Sequence, residues 1–327
     1  MIKQFLHDTK VDVPVVCGPM YPGSNPELVA AVSEAGGLGV VQPVTMTYAY
    51  QHDFREGLQL IKKLTNKPFG VNFTLLDGNK RYEKRLHEWM DISIEEGTSF
   101  FLTSLGNPKW VVERAHANGI VVYHDVTNRR FAEKAANAGV DGLNCVNNRA
   151  GGQTGELSAK ELYDALHDLG LPLVCAGGVS DEAEFLKVLD LGYAAVQMGT
   201  RFLATEECQI PDDYKQGIVR SEEKDIVWTN KLAGTTSSVI RTPDIEKGGL
   251  MVNPLFGFLL RQRSTKKIMR TLLLLRSIRT HKKVVQTPGY GQIWQAGKGV
   301  GTIHKIEPAG DIVERFQQAL EAHKQTS

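Results

Sequence analysis

The feature that most constrains this chain is a repeat between residue 13 and about residue 205. A short apolar run, rich in valine and often ended by glycine, alternates with a longer amphipathic stretch. The runs are Val13–Cys17, Leu38–Gln42, Phe69–Phe73, Ser99–Thr103, Ile120–His124, Gly142–Val146, Leu171–Ala176 and Ala194–Met198. Helical stretches such as Asn25–Ala35, Asp53–Leu64, Lys109–Asn118, Arg129–Ala138, Ala159–Leu169 and Asp181–Leu189 separate them, and several end in glycine, as helix C-termini prefer. Strands that alternate with helices pair in parallel through right-handed crossovers, and uninterrupted apolar runs mark strands covered on both faces. The pattern predicts an α/β chain, a (β/α)8 TIM barrel, with a doubly wound open sheet as the other arrangement compatible with it.

After Leu203 the repeat stops. Residues 206–290 are charged, with helical periodicity at Pro211–Arg220 and Phe256–Ile278 and loop-like stretches at Ala233–Pro243 and Thr287–Gly301. The expected organisation is a barrel over 1–205, a mainly helical subdomain over 206–290, and a segment over 291–327 whose helix, Ile312–His323, returns to the barrel wall. Lys and Arg number 38 against 37 Asp and Glu, so no global field draws nucleic acid or an anionic membrane. The N-terminus lacks a signal-peptide run, and no stretch approaches the roughly 18 apolar residues of a membrane span. The four cysteines have no paired spacing. These features lead to the expectation of a reduced, cytoplasmic protein with no nucleic-acid or membrane partner.

Two late strands each run into a glycine turn: Gly177-Gly178 after the seventh, Gly199-Thr200 after the eighth. In barrels the loops after these strands commonly hold a phosphate, and glycine lets backbone N–H groups approach it closely. The same glycines also serve as tight βα turns. Their recurrence at both positions, with Thr200 adding a hydroxyl, favours a phosphate. No Walker loop is present and no GxGxxG opens a helix after the first strand, so a mononucleotide fits better than a dinucleotide.

These residues resemble the nitronate monooxygenase family of FMN-dependent barrel oxidoreductases, which also includes flavin-dependent enoyl reductases and NAD(P)H:quinone reductases. The resemblance runs through Pro14-Val15-Val16-Cys17-Gly18-Pro19-Met20, Ser33 to Val40, Phe69-Gly70-Val71-Asn72, Ala176-Gly177-Gly178-Val179, Gln197 to Phe202, and Ala296-Gly297-Lys298-Gly299-Val300-Gly301. It implies noncovalent FMN contacted by Gly18, Pro19, Met20, Asn72, Gly151, Gly152, Gly177, Gly178, Gly199 and Thr200. It also implies oxidation of alkyl nitronates by O2 to a carbonyl compound and nitrite, or, as the other activity of the group, NAD(P)H-dependent reduction of quinones or enoyl thioesters.

One hallmark is altered. The family carries Glu-Ala-Gly-Gly-His after the sixth strand, its His acting as a base. Here the run is Arg149-Ala150-Gly151-Gly152-Gln153. A carboxamide accepts no proton near neutrality, so Gln153 can only hydrogen-bond a substrate or the flavin. That predicts a preference for ionised nitronate, unless another base serves. His124 is the candidate, placed at the end of the fifth strand. It could equally bond a loop carbonyl or the flavin ring. Arg149 is read either as an anion-binding guanidinium or as a solvated loop residue, Trp294 as a stacking or a buried ring, and Tyr21 as a pocket wall. Arg201 is read as structural or as a partner of the flavin phosphate, and Lys298 as exposed. Basic residues between Arg261 and Lys283 form either a solvated helix face or a docking face for an acidic carrier. No His, Cys or carboxylate cluster has metal-ligand spacing. A flavin- or phosphate-binding barrel without turnover is the reading from a different class.

Overall fold

Eight parallel strands close into a barrel in the computed structural model, which describes residues 1–76, 79–232, 236–252 and 293–326 and isolated positions between 253 and 292. In chain order the barrel strands are β1 Val15–Cys17, β2 Leu38–Val41, β3 Phe69–Leu75, β4 Phe100–Leu105, β5 Val121–Val126, β6 Gly142–Val146, β7 Leu173–Ala176 and β8 Ala195–Met198. β8 pairs with β1 and closes the ring, so the open-sheet alternative is excluded. Helices lie between the strands where the periodicity places them, with N-caps such as Asp53, Asn128 and Asp181 accepting first-turn amides. Helix Lys80–Glu95 fills the stretch where the pattern is weakest, and helix Ile2–Thr9 precedes β1.

Strand alternation divides the core in two. Val16, Leu38, Val40, Phe100, Leu102, Tyr123, Val174 and Ala195 belong to one buried cluster, joined by Phe5 from the N-terminal helix. These residues come from strands all round the ring and meet in its interior. Val71, Phe73, Phe101, Val122, Val126, Leu143, Cys145, Cys175 and Val196 fall in a second cluster with helix residues such as Leu58, Val111, Ala132 and Phe185, which is the layer between barrel and helices. Because successive side chains on a strand take opposite faces, the two clusters assign every strand position as inward or outward.

Beyond the barrel, helix Asp212–Arg220 appears as expected. The stretch read as a loop at Ala233–Pro243 instead contains a strand, Ser237–Ile240, antiparallel to Ile226–Thr229. That strand also pairs with Gly152–Gln153, so the described part of 206–290 contributes two strands of a three-stranded sheet as well as helix. Of the expected helix over Phe256–Ile278 only isolated positions such as Phe256 and Met269 are described, both helical, and the basic residues from Arg261 to Lys283 lie outside the described residues. Helix Ala309–Thr326 packs on helices Pro26–Glu34 and Glu182–Asp190, with Phe316 against Phe185. Among the described residues no helix is long and apolar enough to cross a membrane.

Candidate active site

Four backbone segments converge at the C-terminal ends of β6, β7 and β8. A Cβ added at Gly177, whose φ is +121°, would lie 2.6 Å from the Ala150 amide nitrogen. One added at Gly151 would meet the Gly297 amide nitrogen at 2.7 Å and Thr200 Oγ1 at 3.1 Å. Only glycine permits such an approach of main chain to main chain. The Gly297 amide donates to Thr200 Oγ1 at 2.9 Å, and the Lys298 amide to the Arg149 carbonyl at 2.9 Å. Ser180 Oγ donates to the Gly299 carbonyl at 2.6 Å, which locks the turn Lys298–Thr302 onto the loop after β7. Fully buried Asn147 ties the cluster together: its Nδ2 donates to the Gly177 carbonyl at 2.8 Å, and its Oδ1 accepts the Arg149 amide at 2.8 Å. No sequence motif singled out Asn147.

The rim of this cluster is electropositive. Arg149 Nη1 lies 3.0 Å and Lys298 Nζ 3.6 Å from the same carboxylate, Glu223. Two cations sharing one anion leave a surplus positive charge beside the glycine turns. Arg149 therefore stands at the mouth, its side chain crossing Gly178, while Lys298 is half-buried rather than exposed.

Around the opening the inward side chains are polar. Gln42 Nε2 donates to Asn72 Oδ1 at 3.3 Å, and Asn72 Nδ2 to the Leu102 carbonyl at 3.1 Å. Thr45 connects this pair to β1, since its hydroxyl lies 3.0 Å from both Gln42 Oε1 and the Met20 carbonyl. The Gln197 side chain covers Gly18, and Met20 Sδ lies 3.4 Å from where a Cβ on Gly199 would stand. Gly18, Pro19, Met20, Asn72 and Gly199 are thus assembled at one rim, adjoining the Gly151, Gly177, Gly178 and Thr200 cluster.

His124 is not part of that rim. β5 runs two residues further than the apolar run suggests, and His124 shares the outward face of Val122 and Val126. Its Nδ1 pairs with Thr103 Oγ1 at 2.8 Å, and Thr103 Oγ1 also donates to the Tyr123 carbonyl at 3.1 Å. Burial pushes its pKa down to about 4. The role of mouth base does not fit an outward, enclosed imidazole. The inward residue at that level is Asp125, which accepts a 2.6 Å hydrogen bond from Asn144 Nδ2. Burial raises the Asp125 carboxyl to about 7, against the lowering effect of that bond.

Several other candidates are drawn elsewhere. Gly152 and Gln153 leave the barrel to pair with Ser238 and Ser237, and Gln153 is exposed. Trp294 is buried, stacked on Tyr214 at 5.6 Å and packed on Gly217, beside a cleft of about 480 Å³ with Asp212, Arg220 and Arg241 on its walls. Tyr21 is partly buried next to Met20, and burial raises its hydroxyl to about 12. Arg201 is 3% exposed and donates to the Ala204 and Lys305 carbonyls, with Glu307 at 3.4 Å, so it anchors the C-terminal segment.

Comparison with known proteins agrees with this arrangement. A protein of Rhodococcus jostii named (3aS,4S,5R,7aS)-5-hydroxy-7a-methyl-1-oxo-octahydro-1H-indene-4-carboxyl-CoA dehydrogenase is 31% identical over 71% of the chain. The match takes in 64% of that relative, less than two thirds of its length. A probable nitronate monooxygenase of Staphylococcus saprophyticus is 28% identical over 72% of the chain and 78% of its own length. Among solved structures, FabK from Thermotoga maritima superposes with a TM-score of 0.79 at 26% identity, covering 99% of both chains. The sequence profile described as Nitronate monooxygenase matches residues 3–318, and the chain belongs to that family.

Proposed function

We propose that this chain is an FMN-dependent oxidoreductase that oxidises alkyl nitronates with O2 to a carbonyl compound and nitrite. The observation that carries the reading is the meeting of the glycine turns at Gly151, Gly177 and Thr200 with a polar, inward-facing rim at one barrel mouth, in a family described by this activity. Two features fit the cofactor. At Gly177 and Gly151 the main chains come too close for any side chain, which gives the compact, side-chain-free turns that suit a phosphate. Buried Asn144 Oδ1 points into the barrel with no partner among the described residues, an acceptor available to a ligand. FMN bound there supplies the redox chemistry, and the protein supplies orientation and electrostatics. Gly177, Gly178, Gly199 and Thr200 would hold the phosphate, with Arg149 and Lys298 adding charge. Met20, Asn72 and Gln197 would border the ring.

A second reading is FMN-dependent oxidation or reduction of an acyl thioester, with NAD(P)H as a candidate reductant. It is favoured by the CoA thioester in the name of the Rhodococcus relative, and the surplus charge at Arg149 and Lys298 suits an anionic carrier group. Nitrite release with matching O2 consumption from propyl-2-nitronate supports the first reading. Consumption of NAD(P)H with an enoyl thioester, and no nitrite from nitronate, replaces it with the second.

A further inference from the structure

The altered hallmark removes the family's base, and geometry removes His124, yet the mouth holds a carboxyl group that neither fact accounts for. Asp125 lies on the inward face of β5, two residues above Tyr123 in the barrel interior. Its Cα partner across the ladder is Asn144, which fixes Oδ1 by the 2.6 Å hydrogen bond. Oδ2 has no partner among the described residues, and neither has buried Asn144 Oδ1, so two acceptor atoms side by side are left uncommitted in the barrel. Asn144 Oδ1 is buried without a partner, which is costly, and partly buried Asp125 keeps Oδ2 open to the barrel mouth, so the pair can receive a ligand proton.

The surroundings isolate this carboxyl. Flanking inward positions are Leu102 and Ser104 on β4 and Asn144 and Val146 on β6, none of them charged. Below it, Tyr123 donates its hydroxyl to Asp8 at 2.9 Å. The Cys145 thiol lies on the outward face of β6, its pKa raised well above the usual value by burial, then by Cys175 and Asp125. No cation is paired with Asp125 among the described residues.

We propose that Asp125 accepts the α-proton of a neutral nitroalkane, so that the site makes its own nitronate. The proposal rests on the nitronate reading above. In the step, the carboxylate takes the proton from the α-carbon and becomes a carboxylic acid. The C–H electron pair becomes the carbon–nitrogen double bond, and the charge moves to the nitro oxygens. Nothing is oxidised at this stage. Asn144 positions the carboxylate and leaves the outer oxygen free to act. A carboxyl that titrates near neutrality suits the task, since a general base works best with its pKa close to the working pH. The same assignment removes the reason to expect that loss of the His confines the chain to preformed nitronate.

The test uses FMN-loaded protein mixed anaerobically with freshly dissolved neutral nitroethane and, separately, with preformed ethylnitronate. The readout is the ratio of the two rates at which oxidised-flavin absorbance is lost. In Asp125→Asn that ratio should fall roughly 100-fold or more, and Asp125→Glu should recover part of it. Deuterium at the α-carbon should slow the neutral reaction of the unmodified protein and leave the nitronate reaction alone. In protein labelled with carboxyl-¹³C aspartate, one resonance should titrate near pH 7 and be missing from Asp125→Asn. A ratio that stays at its original value while nitronate still bleaches the flavin overturns the role of Asp125 alone. Failure of nitronate to bleach the unmodified protein overturns the nitronate reading and this proposal with it.

Discussion

At the scale of single residues, His124 and Asp125 show how one step along a strand changes chemistry. The run Ile120-Val121-Val122-Tyr123-His124 is apolar up to its final histidine, and such runs conceal which positions face inward. The histidine was therefore the visible candidate, and only the contacts of Tyr123 with Phe5 and Phe100 reveal that odd-numbered positions on β5 face the barrel axis. Asp125 could have been found by applying alternation to the strand once Tyr123 was known to face inward. His124→Ala should leave nitronate turnover at its original level. It should also remove an acid-side dependence of stability. The folded pKa near 4 lies below the ordinary value of 6.5, so the neutral imidazole contributes stability above pH 6.5 that is lost as pH falls toward 4. Melting curves at pH 7.5 and 5 measure this, and a drop in turnover with flavin content unchanged would return His124 to the site.

At the scale of elements, the glycine turns were legible because their chemistry is local. Gly177-Gly178 and Gly199-Thr200 stand directly after apolar runs, and the fold needs glycine at 177 and 178, where φ is positive, and a hydroxyl at Thr200, which accepts the Gly297 amide. The C-terminal segment was legible as a helix but not in its attachment, which depends on partners far apart in sequence. Arg315 forms two hydrogen bonds to Glu307, at 2.7 and 3.0 Å, and a third to Glu182 at 2.7 Å. Buried Arg201 joins Glu307 from beneath the eighth strand's turn. Burial alone would raise the Glu307 carboxyl, but hydrogen bonds from Arg315 and Lys305 and the charge of Arg201 hold it below the usual range. Removing one member of such a network leaves uncompensated buried charge, so Glu307→Gln should cost about 3–5 kcal/mol in chemical denaturation. Its loss should shrink as pH falls below about 4.5, where the unfolded chain's carboxyl takes up a proton that the folded one, held lower, still refuses. A cost of a few tenths of a kcal/mol would show that the network is not what holds the segment. The strand at Ser237–Ile240 was missed for a related reason: four residues flanked by polar positions have no pattern of their own and become a strand by pairing with Ile226–Thr229 and Gly152–Gln153.

At the scale of the whole molecule, the barrel brings residues from every part of the chain to one mouth: Met20 after β1, Asn72 on β3, Asp125 on β5, Thr200 after β8 and Gly297 near the C-terminus. Periodicity specified the strands and helices, and the glycines after the late strands specified the turns. The charge at the rim depends on Glu223 meeting Arg149 and Lys298, a convergence that spacing in sequence does not disclose. Everything proposed for this mouth depends on its holding FMN by the glycine turns. Gly199 offers the cleanest probe, because its φ of −109° suits any residue and an added Cβ meets nothing nearer than Met20 Sδ at 3.4 Å. A valine there would occupy the cradle without straining the backbone. The decisive measurement is titration of flavin-free protein with FMN, followed by quenching of flavin fluorescence, for the unmodified chain and for Gly199→Val. Saturation at one FMN per chain, with affinity weakened roughly tenfold or more by the valine at unchanged melting temperature, is the expected result. Absence of FMN binding by the unmodified chain, or equal affinity in the two proteins, would contradict it.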